Sequence, residues 1–203
     1  MIINYFWHKF VKKIRGCAIR DSRIHKTSKM ESGSHVVNSA MDRHSFCGYD
    51  CVILNTDIGS FCSIANNVSI GASRHPMEWV SMSPVFYEGR DSVKAKFSKH
   101  SRDRVKRTSI GNDVWIGERA MIKQGIKIGY GAVIGMGSVV TKDIDDYNII
   151  AGCPTKVIRK KFDGKVIEEL ISLRWWDWDD DHIRIWAHLI DKPEEFILSV
   201  KKQ

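Results

Sequence analysis

The chain has 203 residues, enough for one sizeable domain or for a domain with a small appendage. Its net charge of +8 favours anionic partners; no nucleic-acid-binding motif is visible, and a polyphosphate cofactor or an acidic membrane surface would also satisfy the charge. No apolar run approaches the length of a bilayer span, and the aromatic and basic start lacks a signal-peptide core, so we expect a cytoplasmic protein. The odd number of cysteines, five, fits free thiols in a reducing compartment.

The first predicted element is an amphipathic helix over residues 3–14, with apolar residues on one face and bases on the other. The apolar positions are Ile3, Phe6, Trp7, Phe10, Val11 and Ile14, and the basic ones are Lys9, Lys12, Lys13 and Arg15. We predict that residues 1–16 form an N-terminal helical cap on the domain that follows. A peripheral contact with a membrane surface through this helix is the alternative.

From about residue 17 to residue 72 an apolar residue recurs at roughly every sixth position. The strictest series is Val52, Ile58, Ile64 and Ile70. Cys47 and Cys51 occupy an opening position and the position four residues later. We expect them to be stacked core residues rather than metal ligands, because no second Cys or His pair at ligand spacing accompanies them.

Residues 73–107 interrupt this rhythm with an aromatic part, RHPMEWVSMSPVFYEG, and a basic part, KAKFSKHSRDRVKR. Long insertions in compact domains are usually functional. His75 stands at the start of the insertion, beside Pro76 and followed by the aromatic residues Trp79 and Tyr87. The basic part is expected to be a solvated loop, or alternatively to meet an anionic or lipid-linked acceptor.

The period of six becomes strict over residues 110–145. Its hexads open with Ile110, Ile116, Ile122, Ile128, Ile134 and Val140. A period of six indicates a short strand and a turn, repeated, as in a parallel β-helix. The second apolar position lies four residues after the first, so both point to the inside of a solenoid. Gly or Asp at most of the intervening corners tolerates the positive φ that a corner needs.

After residue 163 the pattern becomes helical. The segments VIEELISLRWW, DDDHIRIWAHLID and PEEFILSVKK predict helices, with Asp at the start of the second and Pro at the start of the third. We take residues 163–203 as a small C-terminal helical appendage. Trp175, Trp176 and Trp178 are expected to pack it onto the coils or onto a neighbouring subunit; a role in stacking on a base or a sugar is the alternative.

The tandem [Ile/Val]-Gly-x-x-small-x hexads resemble the hexapeptide-repeat acyltransferases. This resemblance implies a mainly β fold, a left-handed parallel β-helix over residues 17–162 that carries the inserted loop 73–107. The run ASRHPMEWVSMSPVFY, the segment IGNDVWIG and the later LRWWDWDDD resemble the branch that contains the streptogramin A (xenobiotic) acetyltransferases and the sugar O-acetyltransferases. The resemblance covers roughly residues 45–180.

This resemblance implies an acetyl-CoA-dependent O-acetyltransferase. His75 would be the general base that takes the proton of an acceptor hydroxyl as it attacks the thioester, by direct transfer without an acyl-enzyme and without a metal. Trp79 and Tyr87 are candidate acceptor-binding residues. A saccharide is the favoured acceptor, because of the extra N-terminal coils and the basic loop, and a streptogramin-type antibiotic is the alternative.

The resemblance also implies the cofactor positions and a homotrimer with sites between subunits. Trp115 would lie beside the pantetheine groove, Thr141 and Lys142 near the CoA end, and Lys156 and Arg159 against the CoA phosphates. Simple surface charge is the alternative for Lys142 and Arg159. Glu118 and Met136 depart from the family, which often has small residues at these positions.

Two other functions are disfavoured by the sequence. A γ-class carbonic anhydrase shares the solenoid but needs three zinc-binding histidines, and residues 108–155 contain no histidine. A trimeric scaffold without catalytic activity would not need the insertion that carries His75.

Overall fold

The computed structural model describes residues 2–89 and 93–202, and short strands dominate it. Before the insertion the strands are β1 (Ala18–Arg20), β2 (Arg23–Ile24), β3 (Lys29–Met30), β4 (His35–Val37), β5 (Ala40–Met41), β6 (Phe46–Cys47), β7 (Val52–Leu54), β8 (Thr56–Ile58), β9 (Ser63–Ile64) and β10 (Ser69–Ala72). After it they are β11 (Thr108–Ile110), β12 (Trp115–Ile116), β13 (Met121–Lys123), β14 (Lys127–Ile128), β15 (Val133–Ile134), β16 (Val139–Val140), β17 (Asn148–Ala151) and β18 (Lys156–Lys160).

Successive strands fall on three sheets in turn, so the chain winds round a triangular prism. The first sheet contains β1, β4, β7, β10, β13 and β16; the second contains β2, β5, β8, β11 and β14; the third contains β3, β6, β9, β12, β15, β17 and β18. Neighbouring strands are parallel, except that β17 and β18 pair antiparallel at the end of the third sheet. The predicted parallel β-helix is confirmed.

The opening residues of the hexads stack inside the prism. Ile116 pairs in register with Ile64 of the preceding coil and with Ile134 of the next. All six opening residues between Ile110 and Val140 are at most 3% exposed. Burying one such aliphatic side chain contributes roughly 1.5–3 kcal/mol to stability. These stacked residues therefore form the main hydrophobic core.

The prediction for the earlier coils is wrong at Val52. Val52 is 37% exposed, whereas Ile53 is 1% exposed and pairs in register with Ile70. The next hexad-opening residue, Ile58, follows Ile53 after five residues rather than six, and a shift of one residue moves a side chain to the other face of a strand. Cys47 and Cys51 are fully buried, as expected of core residues.

The corners need unusual backbone conformations and close approach between coils. Asp113, Gly125, Gly131 and Gly137 all have positive φ, between 57° and 74°, as predicted for corner residues. At Gly117 the reason for glycine is different, because a Cβ atom there would lie 2.6 Å from the backbone nitrogen of Met136 in the next coil.

Helices lie at both ends of the prism. They are α1 (Ile2–Ile14), α2 (Gly164–Leu173), α3 (Asp180–Trp186) and α4 (Pro193–Lys201), and 3-10 turns occur at Pro84–Phe86, Trp175–Asp177 and Ala187–Leu189. The Asp163 carboxylate accepts a hydrogen bond from Val166 N at 3.0 Å and caps α2. None of the helices in the described part of the chain is long and apolar enough to span a bilayer.

The tryptophans after α2 fasten the C-terminal helices to the coils. Trp176 is 1% exposed and stacks on Tyr130, with the ring centres 4.8 Å apart. The ring centres of Trp175 and Phe61 are 4.9 Å apart. Both contacts confirm the predicted packing on the coils, since Tyr130 and Phe61 lie at corners of the solenoid.

Arg43 adds polar contacts across the same junction. Its guanidinium donates to the carbonyl of Trp176 at 2.9 Å and also to that of Trp178, and it forms an ion pair with Asp180 at 2.9 Å. The indole of Trp178 itself packs within the appendage, against Phe196 of α4.

At the other end, α1 does not pack as expected of a cap. Its described apolar side chains are between 47% and 66% exposed, so in a single chain they do not cover the coils. Those residues are Phe6, Trp7, Phe10, Val11 and Ile14. The side chains of Ile3, Lys12 and Lys13, which belong to the predicted amphipathic pattern, lie outside what the structure describes.

Candidate active site

The insertion leaves the prism after β10, which ends at Ala72, and rejoins it at β11, which begins at Thr108. It therefore projects from the corner between the first and second sheets. A buried tyrosine organises the projecting chain: Tyr87 is 4% exposed, with Trp79 in edge contact at 6.3 Å. The part of the insertion around Tyr87 is therefore packed, although it stands outside the prism.

Three basic residues of the insertion hold it in place. Lys96 donates to the carbonyls of Pro84 and Tyr87 at 2.7 and 3.0 Å, and the Arg102 guanidinium lies 4.7 Å from the centre of the Tyr87 ring. At the return to the prism, Arg107 donates to both carboxylate oxygens of Asp57. The basic part is thus more than a solvated loop.

His75 is exposed, and one edge of its imidazole is held by the insertion. Its Nδ1 lies 3.0 Å from the carbonyl oxygen of Met82 and 3.3 Å from the phenol oxygen of Tyr87. A carbonyl oxygen only accepts hydrogen bonds, so Nδ1 must carry the proton, and the phenol oxygen is a second acceptor for it. In this tautomer Nε2 has its lone pair available and can accept a proton.

A cleft of about 110 Å³ opens beside His75. Trp79 and Arg102 line it from the insertion, and Gln124 lines it from the corner that follows β13. The Oε1 atom of Gln124 is buried and has no hydrogen-bond partner among the described residues, so it can receive a donor from a bound molecule. Small-molecule sites usually enclose about 300–1,000 Å³, so this cleft alone is smaller than an ordinary ligand site.

Thr141 and Lys142 lie at the same corner of the prism as His75. The insertion follows β10, Gln124 follows β13, and Thr141 and Lys142 follow β16, all on the first sheet. With strands about 4.8 Å apart, Thr141 lies about 10 Å along the prism axis from the start of the insertion. Both residues are exposed and accessible to a ligand.

Trp115 and Arg159 lie on a different side of the prism. Trp115 pairs with Val133, Val133 with Ile149 and Ile149 with Arg159, so these residues form one row on the outer face of the third sheet. The row spans three strand spacings, about 14 Å. Trp115 is 44% exposed, and Lys156 and Arg159 on β18 are exposed.

The sequence-predicted residues therefore form two groups that one chain does not bring together. The third sheet is the side of the triangle opposite the corner that carries His75. His75, Trp79, Tyr87, Thr141 and Lys142 share that corner, whereas Trp115, Lys156 and Arg159 face the other way. Glu118 and Met136 are both exposed and contribute to neither group.

Three contributors to the site were missed from the sequence. The Met82 carbonyl belongs to the backbone, so no residue type signals its role. Gln124 sits in an ordinary hexad corner, and Arg102 is one base among many in its segment. Two other histidines have different partners: His44 Nε2 lies 2.9 Å from a carboxylate oxygen of Asp180 in the appendage, and His100 makes an edge contact with Trp79.

Metal ligation has no support in the described ranges 2–89 and 93–202. There, no three His, Cys, Asp or Glu side chains cluster as metal ligands would.

Comparison with known proteins identifies the repeat. The hexapeptide repeat of succinyl-transferase matches residues 107–142. A chloramphenicol acetyltransferase of Escherichia coli is 45% identical over 130 residues, which are 63% of this chain and 61% of that relative. The chain thus spans about three fifths of the length of this relative. A galactoside O-acetyltransferase of Escherichia coli K12 is 32% identical over 130 residues, covering 63% and 56% of the two chains.

A solved structure and a further sequence relative are also similar to this chain. A solved mutant of AntD, an N-acyltransferase from Bacillus cereus in complex with a dTDP-sugar and coenzyme A, shares the fold with a TM-score of 0.54, at 16% identity over 82% of this chain and 95% of that one. A probable macrolide acetyltransferase of Lysinibacillus sphaericus is 37% identical over 128 residues, which are 62% of this chain and 71% of the relative. The chain therefore belongs to the family of hexapeptide-repeat acetyltransferases.

Proposed function

We propose that this protein is an acetyl-CoA-dependent O-acetyltransferase that acetylates a hydroxyl group of a chloramphenicol-type xenobiotic, with His75 as the general base. The observation that carries the proposal is the imidazole of His75, whose Nδ1 is held by the Met82 carbonyl and whose Nε2 is available beside a cleft. The relatives named chloramphenicol acetyltransferase, at 45% identity, support the xenobiotic acceptor. A xenobiotic acceptor, in the form of a streptogramin-type antibiotic, was the alternative on sequence grounds, where a saccharide was favoured.

The chemistry follows from the tautomer of His75. Nε2 accepts the proton of the acceptor hydroxyl as that oxygen attacks the thioester carbonyl, and the Met82 carbonyl stabilises the resulting imidazolium through Nδ1–H. When the carbon–sulfur bond breaks, the imidazolium returns the proton to the departing thiolate. The products are the acetyl ester and free CoA, and no acyl-enzyme forms.

The two groups of candidate residues support an assembly with shared sites. A CoA molecule that used Trp115, Lys156 and Arg159 could not reach the His75 of the same chain, because the third sheet faces away from that corner. It would reach the His75 of a neighbouring chain packed against that sheet. We infer a homotrimer in which each cleft joins the corner of one subunit to the third sheet of the next.

The exposed bases on the third sheet suit the CoA phosphates. Lys156 and Arg159 offer positive charge at the end of the row that begins at Trp115, and a polyanion binds favourably there. Two backbone carbonyls, of Lys160 and Lys161, already accept from Nη1 of Arg159, which orients its guanidinium. Thr141 and Lys142 lie at the corner that carries His75. They would therefore contact the CoA that lies between this corner and the third sheet of the neighbouring subunit.

A saccharide is the second candidate acceptor. The galactoside O-acetyltransferase at 32% identity supports it, as does Trp79, whose ring lines the cleft. Tyr87, the other predicted acceptor-binding residue, is 4% exposed, so its ring does not face an acceptor. Lys96 and Arg107 add no support for a saccharide, because both hold the insertion itself.

The experiment is a thiol-release assay with acetyl-CoA and a panel of chloramphenicol, streptogramin A, galactosides and nucleotide sugars. We expect turnover with the antibiotic acceptors and a loss of about 10²–10⁴ in kcat for His75→Ala. The matched control is His188→Ala, because His188 is also exposed and its Nδ1 also lies 3.0 Å from a carbonyl, that of Ile185. Turnover with sugars alone would select the second candidate, and full activity of His75→Ala would remove His75 as the base.

Mixed oligomers test the assembly. His75→Ala and a Lys156→Glu/Arg159→Glu variant are each expected to be nearly inactive, one in chemistry and the other in binding CoA. After co-refolding, some sites would combine an intact His75 with an intact third sheet and recover activity. Sedimentation should show a trimer, and a monomer or the absence of recovery would contradict shared sites.

A further inference from the structure

The N-terminal helix α1 presents an apolar face to solvent. Phe6 is 61% exposed, Trp7 60%, Phe10 56%, Val11 47% and Ile14 66%. They recur at helical spacing of three and four, so they form one stripe along the helix. Trp7 and Phe10 contact one another, with ring centres 6.2 Å apart, and form the middle of this stripe.

The helix is fastened to the solenoid at its C-terminal end. Arg15 forms an ion pair with Asp50, and the carbonyl of Gly16 accepts a hydrogen bond from Gly33 N at 2.6 Å. Gly16 has a φ of +65°, a conformation that ends the helix and turns the chain into β1. The stripe is therefore displayed on a tethered helix and not on a free peptide.

The positive charge of the N-terminal segment indicates what kind of surface the stripe contacts. Residues 1–20 contain no Asp or Glu and five basic residues. These are Lys9, Lys12, Lys13, Arg15 and Arg20. A second copy of the same segment would bring like charges together, whereas an anionic bilayer surface would attract them and would also accept the aromatic stripe.

We propose that α1 is an interfacial anchor that places this protein on the surface of anionic phospholipid bilayers. The helix has 13 residues, a length of about 20 Å, which suits a helix lying in the plane of the interface. Trp7 and the two phenylalanines would enter the boundary between headgroups and acyl chains, and the bases would remain at the phosphates. The proposal does not depend on which acceptor the enzyme uses.

The test is co-sedimentation of the full chain with vesicles of phosphatidylcholine alone and of phosphatidylcholine with phosphatidylglycerol. We expect binding to the anionic vesicles, weakened by high salt. Replacing Lys9, Lys12 and Lys13 by Gln should weaken partitioning by about fivefold per lysine, on the order of 100-fold together. Trp7→Asp/Phe10→Asp should abolish binding.

The matched control is Leu198→Asp, because Leu198 lies on α4 and is 60% exposed, like Trp7. It should bind vesicles as the wild type does, and circular dichroism should show all variants folded. A blue shift of tryptophan emission on adding anionic vesicles, lost in Trp7→Phe, would locate Trp7 in the bilayer.

Equal binding to neutral and anionic vesicles, or full binding by Trp7→Asp/Phe10→Asp, would overturn the proposal. So would a Trp7→Asp/Phe10→Asp variant that changes oligomeric state while the wild type ignores vesicles, since the stripe would then be a contact between copies. Neither result bears on the proposed acetyl transfer.

Discussion

Replacing Tyr87 by Phe separates the two groups that approach Nδ1 of His75. The Met82 carbonyl lies 3.0 Å from Nδ1 and the Tyr87 phenol oxygen 3.3 Å from it. Because the carbonyl fixes the proton on Nδ1, the phenol provides only the longer half of a shared hydrogen bond. Losing this weaker hydrogen bond should reduce transition-state stabilisation by about 0.5–1 kcal/mol, since a complete hydrogen bond contributes about 1 kcal/mol net.

This cost corresponds to a roughly two- to fivefold lower kcat/KM for Tyr87→Phe. The phenylalanine ring would keep the contacts with Trp79 and with the Arg102 guanidinium, so the insertion should stay folded. By contrast, His75→Ala should lower kcat by about 10²–10⁴.

The assay is thiol release with acetyl-CoA and chloramphenicol, with kcat and KM measured separately. Tyr147→Phe is the matched control, because the Tyr147 hydroxyl is buried without a hydrogen-bond partner in the described residues and lies outside the insertion. If Tyr87→Phe loses activity as severely as His75→Ala while remaining folded, the phenol itself takes part in the chemistry and the assignment of orientation to Met82 is wrong.

Three further predictions concern the scaffold. Gly117→Ala should lower the free energy of unfolding by about 1–3 kcal/mol in urea, because its Cβ would meet the backbone of Met136 at 2.6 Å, whereas Gly164→Ala, with open space at the start of α2, should be neutral or stabilising. Trp176→Ala should cost about 3–5 kcal/mol and Trp176→Phe less, measured in the same way; equal costs would mean that the buried ring volume is not what fastens the appendage. Arg107 holds the pKa of the Asp57 carboxyl below its ordinary value of 3.8, so Arg107→Ala should cost at most about 1 kcal/mol at neutral pH. That stability is present above the ordinary pKa and is lost as the pH falls through the lowered one, so the two unfolding curves should converge in acid; a difference that persists there would contradict the ion pair.

The interior of the prism could be predicted from the sequence because each coil repeats one requirement. Each coil face needs an aliphatic residue that points inward and a corner residue that tolerates positive φ. Both residue types therefore recur every six positions in the sequence. The signal failed at Val52 because one corner is a residue shorter, and the hexad frame cannot reveal which of Val52 and Ile53 turns inward. Local spacing specifies the repeat, and the stacked neighbour specifies the register.

The candidate base could be proposed from the sequence, but its orientation could not. His75 stands out because it opens an aromatic insertion in an otherwise regular repeat. What holds it is the backbone of Met82 and the buried ring of Tyr87, and these contacts depend on how the insertion folds back on itself. The expectation of a solvated basic loop failed for a similar reason. Lys96 donates to the backbone carbonyl of Pro84 and Arg107 to the carboxylate of Asp57, and the sequence does not reveal either partner.

A solenoid sets a general limit on where chemistry can occur. Its inward side chains, such as those of the hexad-opening residues from Ile110 to Val140, are buried in the core and cannot contact a ligand. Its outward side chains point away from one another on three sides. Groups such as Trp115 and Arg159 therefore cannot converge with His75 on one chain, however well each is placed. Convergence requires either a chain that leaves the prism or a second prism. This protein has the first in residues 73–107, and the homotrimer proposed above would supply the second beside the cleft at His75.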